Sequence, residues 1–316
     1  MSEQKKFGTF SGVFTPALLT ILGVIMYLRL PWLVGQAGLY SAIGIILIAH
    51  IISITTGLSV ASIATDKKVK VGGVYYMISR SLGLPIGGTL GLALFIGLSF
   101  SVSLYLIGFS ESLLGFLDFP VTKNNIRLLG SASLVLVTII TLISTSLALK
   151  TQFLILIAIA LSLGSIVMGR LETVAQTPHF LPSSGSPPFI VLFGIFFPAV
   201  TGFTAGVNMS GDLDNPKRSI PLGTMAAIFA GLIVYIALAI FFSIRVPADQ
   251  LINDSNILNH MAFFPPLVLA GIWGATLSSA MGSILGAPRT LQAISLDKIT
   301  PRFFGRGYGK ENEPRN

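Results

Sequence analysis

The chain has 316 residues, of which 53% are hydrophobic and only 10% charged, with a formal net charge of +8 and no cysteine. A soluble domain carries about 25% charged residues, so the composition excludes an ordinary water-soluble fold. The missing cysteines exclude disulfides, thiol catalysis and cysteine-ligated metals, and His50, His179 and His260 lie far apart in the sequence and suggest no metal cluster.

A membrane-spanning helix needs about 20 mainly apolar residues. Met1 to Phe7 are polar and the first apolar stretch is too long for a signal core, so no cleavable signal is expected. The pattern predicts an all-α membrane protein with eight spans. The first is Val13–Val34 and contains Thr15-Pro16, Thr20 and Gly23 where lipid should enforce a helix. The second, Ser41–Ala64, holds His50, read as a hydrogen-bonded core residue. The third, Ile86–Leu117, is longer than a bilayer needs and must tilt or extend. It carries Tyr105 and, near its end, Glu111. The fourth and fifth are Leu128–Leu149 and the short Phe153–Met168. The sixth, Phe189–Met209, repeats the interruption of the first, with Pro198, Thr201, Gly202 and Gly206. The seventh is Ile220–Ile244. The eighth, Phe264–Ile294, contains Ala275-Thr276-Leu277-Ser278-Ser279.

Lys and Arg sort by membrane side, as the positive-inside rule requires. With the N-terminus inside, the inner segments hold Lys5, Lys6, Lys67, Lys68, Lys70, Arg80, Lys150, Lys217, Arg218, Arg289, Lys298, Arg302, Arg306, Lys310 and Arg315. The outer side holds only Arg29, Lys123, Arg127, Arg170 and Arg245. The basic excess is therefore a topology signal and not a nucleic-acid surface. It implies a multi-pass protein of the plasma (cell inner) membrane with both ends cytoplasmic. The loops 178–188 and 247–259 then lie outside, and Asn253-Asp254-Ser255 forms a glycosylation sequon there.

Non-helical backbone survives at membrane depth only where protein buries it or it lines a cavity. Paired breaks in corresponding segments mark a transporter's substrate site. Before the first break, Leu19, Thr20, Ile21 and Leu22 offer oxygens to a cation; after it, the N–H groups of Gly23, Val24 and Ile25 suit an anion. The second break offers Pro198 and Thr201 to cations and Gly202, Phe203 and Thr204 to anions. Ser278 and Ser279 can donate hydroxyl oxygens to Na⁺, and the Tyr105 hydroxyl can ligate a cation. Glu111 and Arg29 are placed to pair across an outer vestibule. No activated Ser, Cys or His, P-loop or paired carboxylates suggest an enzyme.

These residues resemble the cation-chloride cotransporters, in the amino acid–polyamine–organocation superfamily. Leu22 through Gly38 look like their first helix, and Gly72 through Gly83 like the loop after the second. Phe196 through Gly202 with Ser210-Gly211-Asp212-Leu213 resemble their sixth helix and its sequel. Gly286-Ala287-Pro288-Arg289 and 307–314 complete the match. The resemblance implies two inverted repeats with discontinuous first and sixth helices. Here they would run about 13–168 and 189–294, within a single transmembrane transport domain 1–316 whose cytoplasmic tail is 297–316. It implies a K⁺ site on Thr20, Ile21, Tyr105, Pro198 and Thr201. It implies chloride sites on the amides of Gly23, Val24 and Ile25 and of Gly202, Phe203 and Thr204. The Na⁺ site would use Leu19, Leu22, Ala275, Ser278 and Ser279, and the serine pair is typical of the sodium-coupled branch. Arg29 and Glu111 match charged residues of the outer gate. Thr20 and Leu22 stand where animal members have Asn and Trp, and the sequence looks like a prokaryotic-type member.

The expected function is secondary symport of Na⁺, K⁺ and Cl⁻ by alternating access, with no cofactor. The partners expected are membrane lipid, the transported ions and, for a complete protein, a second copy in a homodimer; no nucleic acid is expected. Relative to that family the fold would be truncated after about eight helices. Two alternatives stand beside this reading. One is an amino-acid permease of the same superfamily, with a carboxylate on the Gly23 amides and an ammonium on the carbonyls near Thr201. The other is an inactive fragment of such a transporter.

Overall fold

Residues 7–66, 73–143, 145–170, 178–208 and 213–307 are described by the structure, a computed structural model. Lys5, Lys6, Lys67, Lys68, Lys70, Lys310 and Arg315, with the motif residues Gly72, 210–212 and 308–314, lie outside the described residues. Among the described residues, eight helices are long and apolar enough to cross a membrane. They are α1 (Phe10–Leu28), α2 (Leu30–Asp66), α4 (Leu84–Phe116), α5 (Lys123–Ile143), α6 (Thr145–Met168), α7 (Phe189–Asn208), α8 (Pro216–Arg245) and α11 (Pro265–Leu296). Three short helices join them: α3 (Gly73–Leu82), α9 (Ala248–Asn253) and α10 (Ile257–Met261).

Exposed Leu, Ile, Val and Phe side chains run along α4, α5 and α6. In a soluble protein such a surface would drive aggregation; here it is the face that lipid covers. The buried core lies on the inner faces of α1, α2, α7, α8 and α11. Two groups of helices emerge from the packing. α2 pairs with α8, while α4 and α6 pack on α11. The broken helices α1 and α7 run between them, so each break is walled by protein.

The expected spans hold to within a few residues except at the fourth, expected over Leu128–Leu149: α5 ends at Ile143 and α6 begins at Thr145, ahead of the expected Phe153. The first span was expected to end at Val34 and the second to begin at Ser41, and helical hydrogen bonding does cross Arg29. Its N–H donates to Ile25 O (3.0 Å), and the Leu33 N–H donates to Arg29 O (2.8 Å). The chain turns between those two spans, at Gly38, whose φ of 66° and ψ of 166° no L side chain adopts comfortably. A Cβ there would also strike the backbone of Leu181.

That turn is held by the segment after Pro178. Leu39 and Tyr40 donate their N–H groups to His179 O (2.9 Å) and Phe180 O (3.2 Å). Ser183 Oγ donates to Gly35 O (2.7 Å), and Ser243 Oγ on α8 donates to His179 O (2.7 Å). A proline- and serine-rich loop thus ties three helix ends at one end of the bundle. Two other segments expected as loops are helical. Residues 73–82 form the amphipathic α3, and 247–259 supply α9 and α10. In both, apolar residues (Tyr75 and Met77, then Leu251, Ile257, Leu258 and Met261) are buried against the bundle, which loop-like composition had hidden.

Candidate functional site at two helix breaks

α1 comprises a π-helical turn (Phe10–Phe14), an α-helix (Thr15–Ile21) and a second α-helix (Val24–Leu28). Pro16 starts the middle piece at a position where no N–H is needed. The break falls at Leu22 (φ −81°, ψ 40°) and Gly23 (φ −90°, ψ −151°). Gly23, Val24 and Ile25 head the second half-helix, so their N–H groups have no helical carbonyl behind them. The Ile21 carbonyl accepts from the Tyr235 hydroxyl of α8 at 2.7 Å. Thr20 Oγ1 donates back to Pro16 O (2.8 Å), which leaves its lone pairs to face outward.

α7 breaks more gradually. An α-helix (Phe189–Phe196) tightens to a 3₁₀ turn (Phe197–Val200), opens over 201–203 and resumes as Thr204–Asn208. Thr201 Oγ1 donates to Pro198 O (2.8 Å). The Val200 carbonyl accepts from Ser53 Oγ of α2 (2.8 Å), a buried bond. Gly202 and Phe203, with Thr204, present the leading N–H groups of the second half.

The two breaks meet. A Cβ on Gly202 would lie 2.5 Å from Thr20 Cγ2 and 2.9 Å from the Thr20 carbonyl carbon. Only hydrogen at Gly202 permits that approach. α4 crosses the second half of α1 just as closely, because a Cβ on Gly108 would overlap Val24. Tyr105 sits one turn before Gly108, half-buried against the same core. Pro198 and Thr201 are exposed, while Leu19, Ile21, Leu22, Gly23, Val24, Ile25 and Phe203 are buried.

α11 packs against the Thr15–Ile21 half of α1. Ala275 belongs to the same buried cluster as Leu19 and Leu22. Ser278 is half-buried one position before Ser279. Nearby Thr276 spends its hydroxyl on Ile272 O (2.7 Å), the ordinary fate of a helical hydroxyl. Ser279 does not: its Oγ is buried and has no hydrogen-bond partner. A buried hydroxyl left unmatched costs about 1–3 kcal/mol.

Toward the Arg29 end, a cavity of about 450 Å³ opens above the breaks. Tyr27, Trp32, Glu111, Asp254, Asn256 and Ile272 are among its walls. Arg29 Nη2 donates to both carboxylate oxygens of Glu111 at 3.0 Å, joining α1 to α4 across it. Deeper in, Ser162 Oγ donates to the Tyr27 hydroxyl (3.0 Å), which ties α6 to α1.

A second charged cluster closes the opposite end. Asp297, just past α11, accepts from Arg80 Nη2 (2.7 Å) and from the Tyr75 hydroxyl (2.7 Å), both on α3. The hydrogen bond to Asp297 raises the Arg80 pKa. Burial pushes the Tyr75 phenol up, and Asp297 adds to the shift. Sequence reasoning passed over Tyr75 and Asp297 as site residues, and Ser53 and Tyr235 as well. A Tyr or Ser in an apolar span signals only that its hydroxyl needs a partner; which carbonyl it finds depends on the fold.

Two spans broken at mid-length, in contact, with open amides and carbonyls around the contact, define a membrane transporter of the broken-helix class. The chain belongs to the amino acid permease family, whose model matches residues 12–316. Solute carrier family 12 member 1 of Mus musculus is 33% identical over 99% of the chain and 34% of its own length. Solute carrier family 12 member 2 of Homo sapiens is 33% identical over 98% of the chain and 30% of its own length. Member 3 of Mus musculus is 33% identical over 99% of the chain and 37% of its own length. The chain thus spans about a third of the length of these curated relatives. The matches bear out the family resemblance read from the motifs, and they place the chain among transporters rather than enzymes.

Proposed function

We propose that the protein is a secondary symporter that couples Na⁺, and K⁺ with it, to Cl⁻ by alternating access. The observation that carries this reading is the contact of the two breaks, Gly202 against Thr20. It brings cation-seeking carbonyls and anion-seeking amides together without a formal charge. K⁺ sits among Thr20, Ile21, Tyr105, Pro198 and Thr201. One chloride takes the Gly23, Val24 and Ile25 amides, and another those of Gly202, Phe203 and Thr204. Na⁺ sits among Leu19, Leu22, Ala275, Ser278 and Ser279, and the unmatched Ser279 hydroxyl supports that placement. Opposite charges held close together offset each other's cost at membrane depth, which favours joint loading of cations and anions.

The Arg29–Glu111 pair acts as an outer gate in this scheme, with both chain ends cytoplasmic. The chain forms one transport domain of two inverted repeats, about 13–168 and 189–294. Alternating access rocks α1, α2, α7 and α8 against α4, α5 and α11. A homodimer is the proposed assembly of the complete protein.

The test is rubidium uptake into vesicles carrying the chain, with sodium and chloride withdrawn in turn. Uptake that needs both ions, and that falls at least tenfold in S278A/S279A at fixed sodium, is the expected result; each lost oxygen removes about 1 kcal/mol of sodium stabilisation. Uptake of an amino acid without chloride would replace the symporter reading with the permease one.

A further inference from the structure

His50 lies in the middle of α2 and is 1% exposed. Its Nδ1 contacts Ile46 O at 2.8 Å. A carbonyl only accepts, so Nδ1 carries the proton and neutral Nε2 presents a lone pair. That Nε2 is buried and has no hydrogen-bond partner. It points to α8: a Cβ on Gly231 would lie 3.9 Å from Nε2 and 2.6 Å from Ile21 Cγ2. Tyr235, one turn further along α8, sets its ring edge-on to His50 with centroids 6.0 Å apart. The same tyrosine gives its only proton to Ile21 O. One buried donor is thus spent on an acceptor at the α1 break, while an empty acceptor sits on the ring that packs against it.

We infer that Tyr235 and His50 are positioning residues that tune cation affinity at the α1 break, the Tyr235 hydroxyl passing from the Ile21 carbonyl to His50 Nε2 when a cation takes that carbonyl. The inference rests on the K⁺ site proposed above. A hydroxyl donating to Ile21 O points its positive hydrogen toward the cation's position and draws electron density from the carbonyl. Both oppose the cation. In a dry interior the hydroxyl cannot turn to water, and an unmatched donor there is costly. His50 supplies the alternative acceptor, so the hydrogen bond moves and is not lost. No proton leaves the phenol, and imidazole stays neutral throughout.

The test is the half-saturating Rb⁺ concentration for uptake in wild type, H50L, Y235F and H50L/Y235F. H50L strands the tyrosine proton in the loaded state and raises that concentration about tenfold, the worth of one hydrogen bond. H50Q keeps an acceptor and stays near wild type. Y235F has no proton to place, so H50L adds nothing in its background. Additive effects of the two substitutions, or an H50L variant that saturates like wild type, would overturn the inference.

A second measurement covers variants that fail to fold. Nitrogen-15 NMR of histidine-labelled wild type in lipid vesicles has only three histidines to resolve. RbCl should move the His50 Nε2 signal toward the hydrogen-bonded range, and choline chloride should not. A signal that ignores Rb⁺ contradicts the switch. If uptake still needs Rb⁺, Na⁺ and Cl⁻ in that case, the symporter reading stands and only the switch falls. If uptake shows no cation dependence, both fall.

Discussion

The two breaks use one device in different strengths. α1 breaks within two residues and stays buried, whereas α7 loosens through a 3₁₀ turn and leaves Pro198 and Thr201 exposed. Each break leaves a carbonyl that a neighbouring helix claims through a hydroxyl. Tyr235 of α8 takes Ile21 O, and Ser53 of α2 takes Val200 O. The bracing is crossed: the helix after the second break holds the first, and the helix after the first break holds the second. Breaking a helix in lipid would otherwise leave several unmatched carbonyls. The bracing settles one carbonyl per break, and Thr201 settles Pro198 O as well. The phenol is bulky and packs edge-on to Phe196 (5.1 Å, 85°), so it also couples α8 to α7. The serine couples α2 to α7 by a single bond. We therefore expect the α1 break to be the more rigid of the two.

The contact between the breaks is the most sensitive point of this comparison. G202V must push Thr20 away, and overpacking of this kind costs about 1–3 kcal/mol. Uptake should be abolished, and the melting temperature in detergent should fall. A G202V protein that transports normally would show that the breaks need not touch. D297N leaves Arg80 and Tyr75 with a neutral acceptor. Hydrogen bonds to charged groups contribute about 1.5–3 kcal/mol, so accessibility of an α3 label to a polar reagent should rise from the Asp297 end. Unchanged labelling would show that this cluster holds nothing closed.

S53A removes one buried bond and should lower stability by about 1 kcal/mol. It should raise hydrogen exchange near Val200 more than near Ile21. Equal changes at both breaks would contradict the separate bracing. E111Q is expected to have the smallest effect. The Arg29–Glu111 pair is partly exposed, with side-chain exposures of 44% and 23%, and such pairs are worth about 0–1 kcal/mol. Stability should hardly change, while the salt dependence of uptake should weaken; a large loss of stability would mean that the pair is structural.

The spans were legible because lipid allows so few alternatives. Twenty apolar residues in a row must be helical, and Pro, Thr and Gly inside such a run announce a break. The positions of Thr20, Gly23, Pro198 and Gly202 therefore pointed to both breaks before any coordinates. Their mutual contact was not legible, since nothing in the spacing says that Gly202 lies on Thr20. The turn at Gly38, by contrast, falls in the gap between the first two expected spans. The least legible features were the long-range hydroxyl bonds. Ser279 and Thr276 look alike in sequence, yet one satisfies its own helix and the other does not. His50 was read as a hydrogen-bonded core residue, and Nδ1 makes that bond; nothing in the sequence signals that Nε2 stays unmatched.

The most direct test of the central claim is an electron cryomicroscopy structure of the chain in lipid nanodiscs with RbBr in place of KCl. The account predicts Rb⁺ density among Thr20, Ile21, Tyr105, Pro198 and Thr201, and Br⁻ density against the Gly23 or Gly202 amides. Breaks that stay open and in contact but hold no density at saturating RbBr would contradict it.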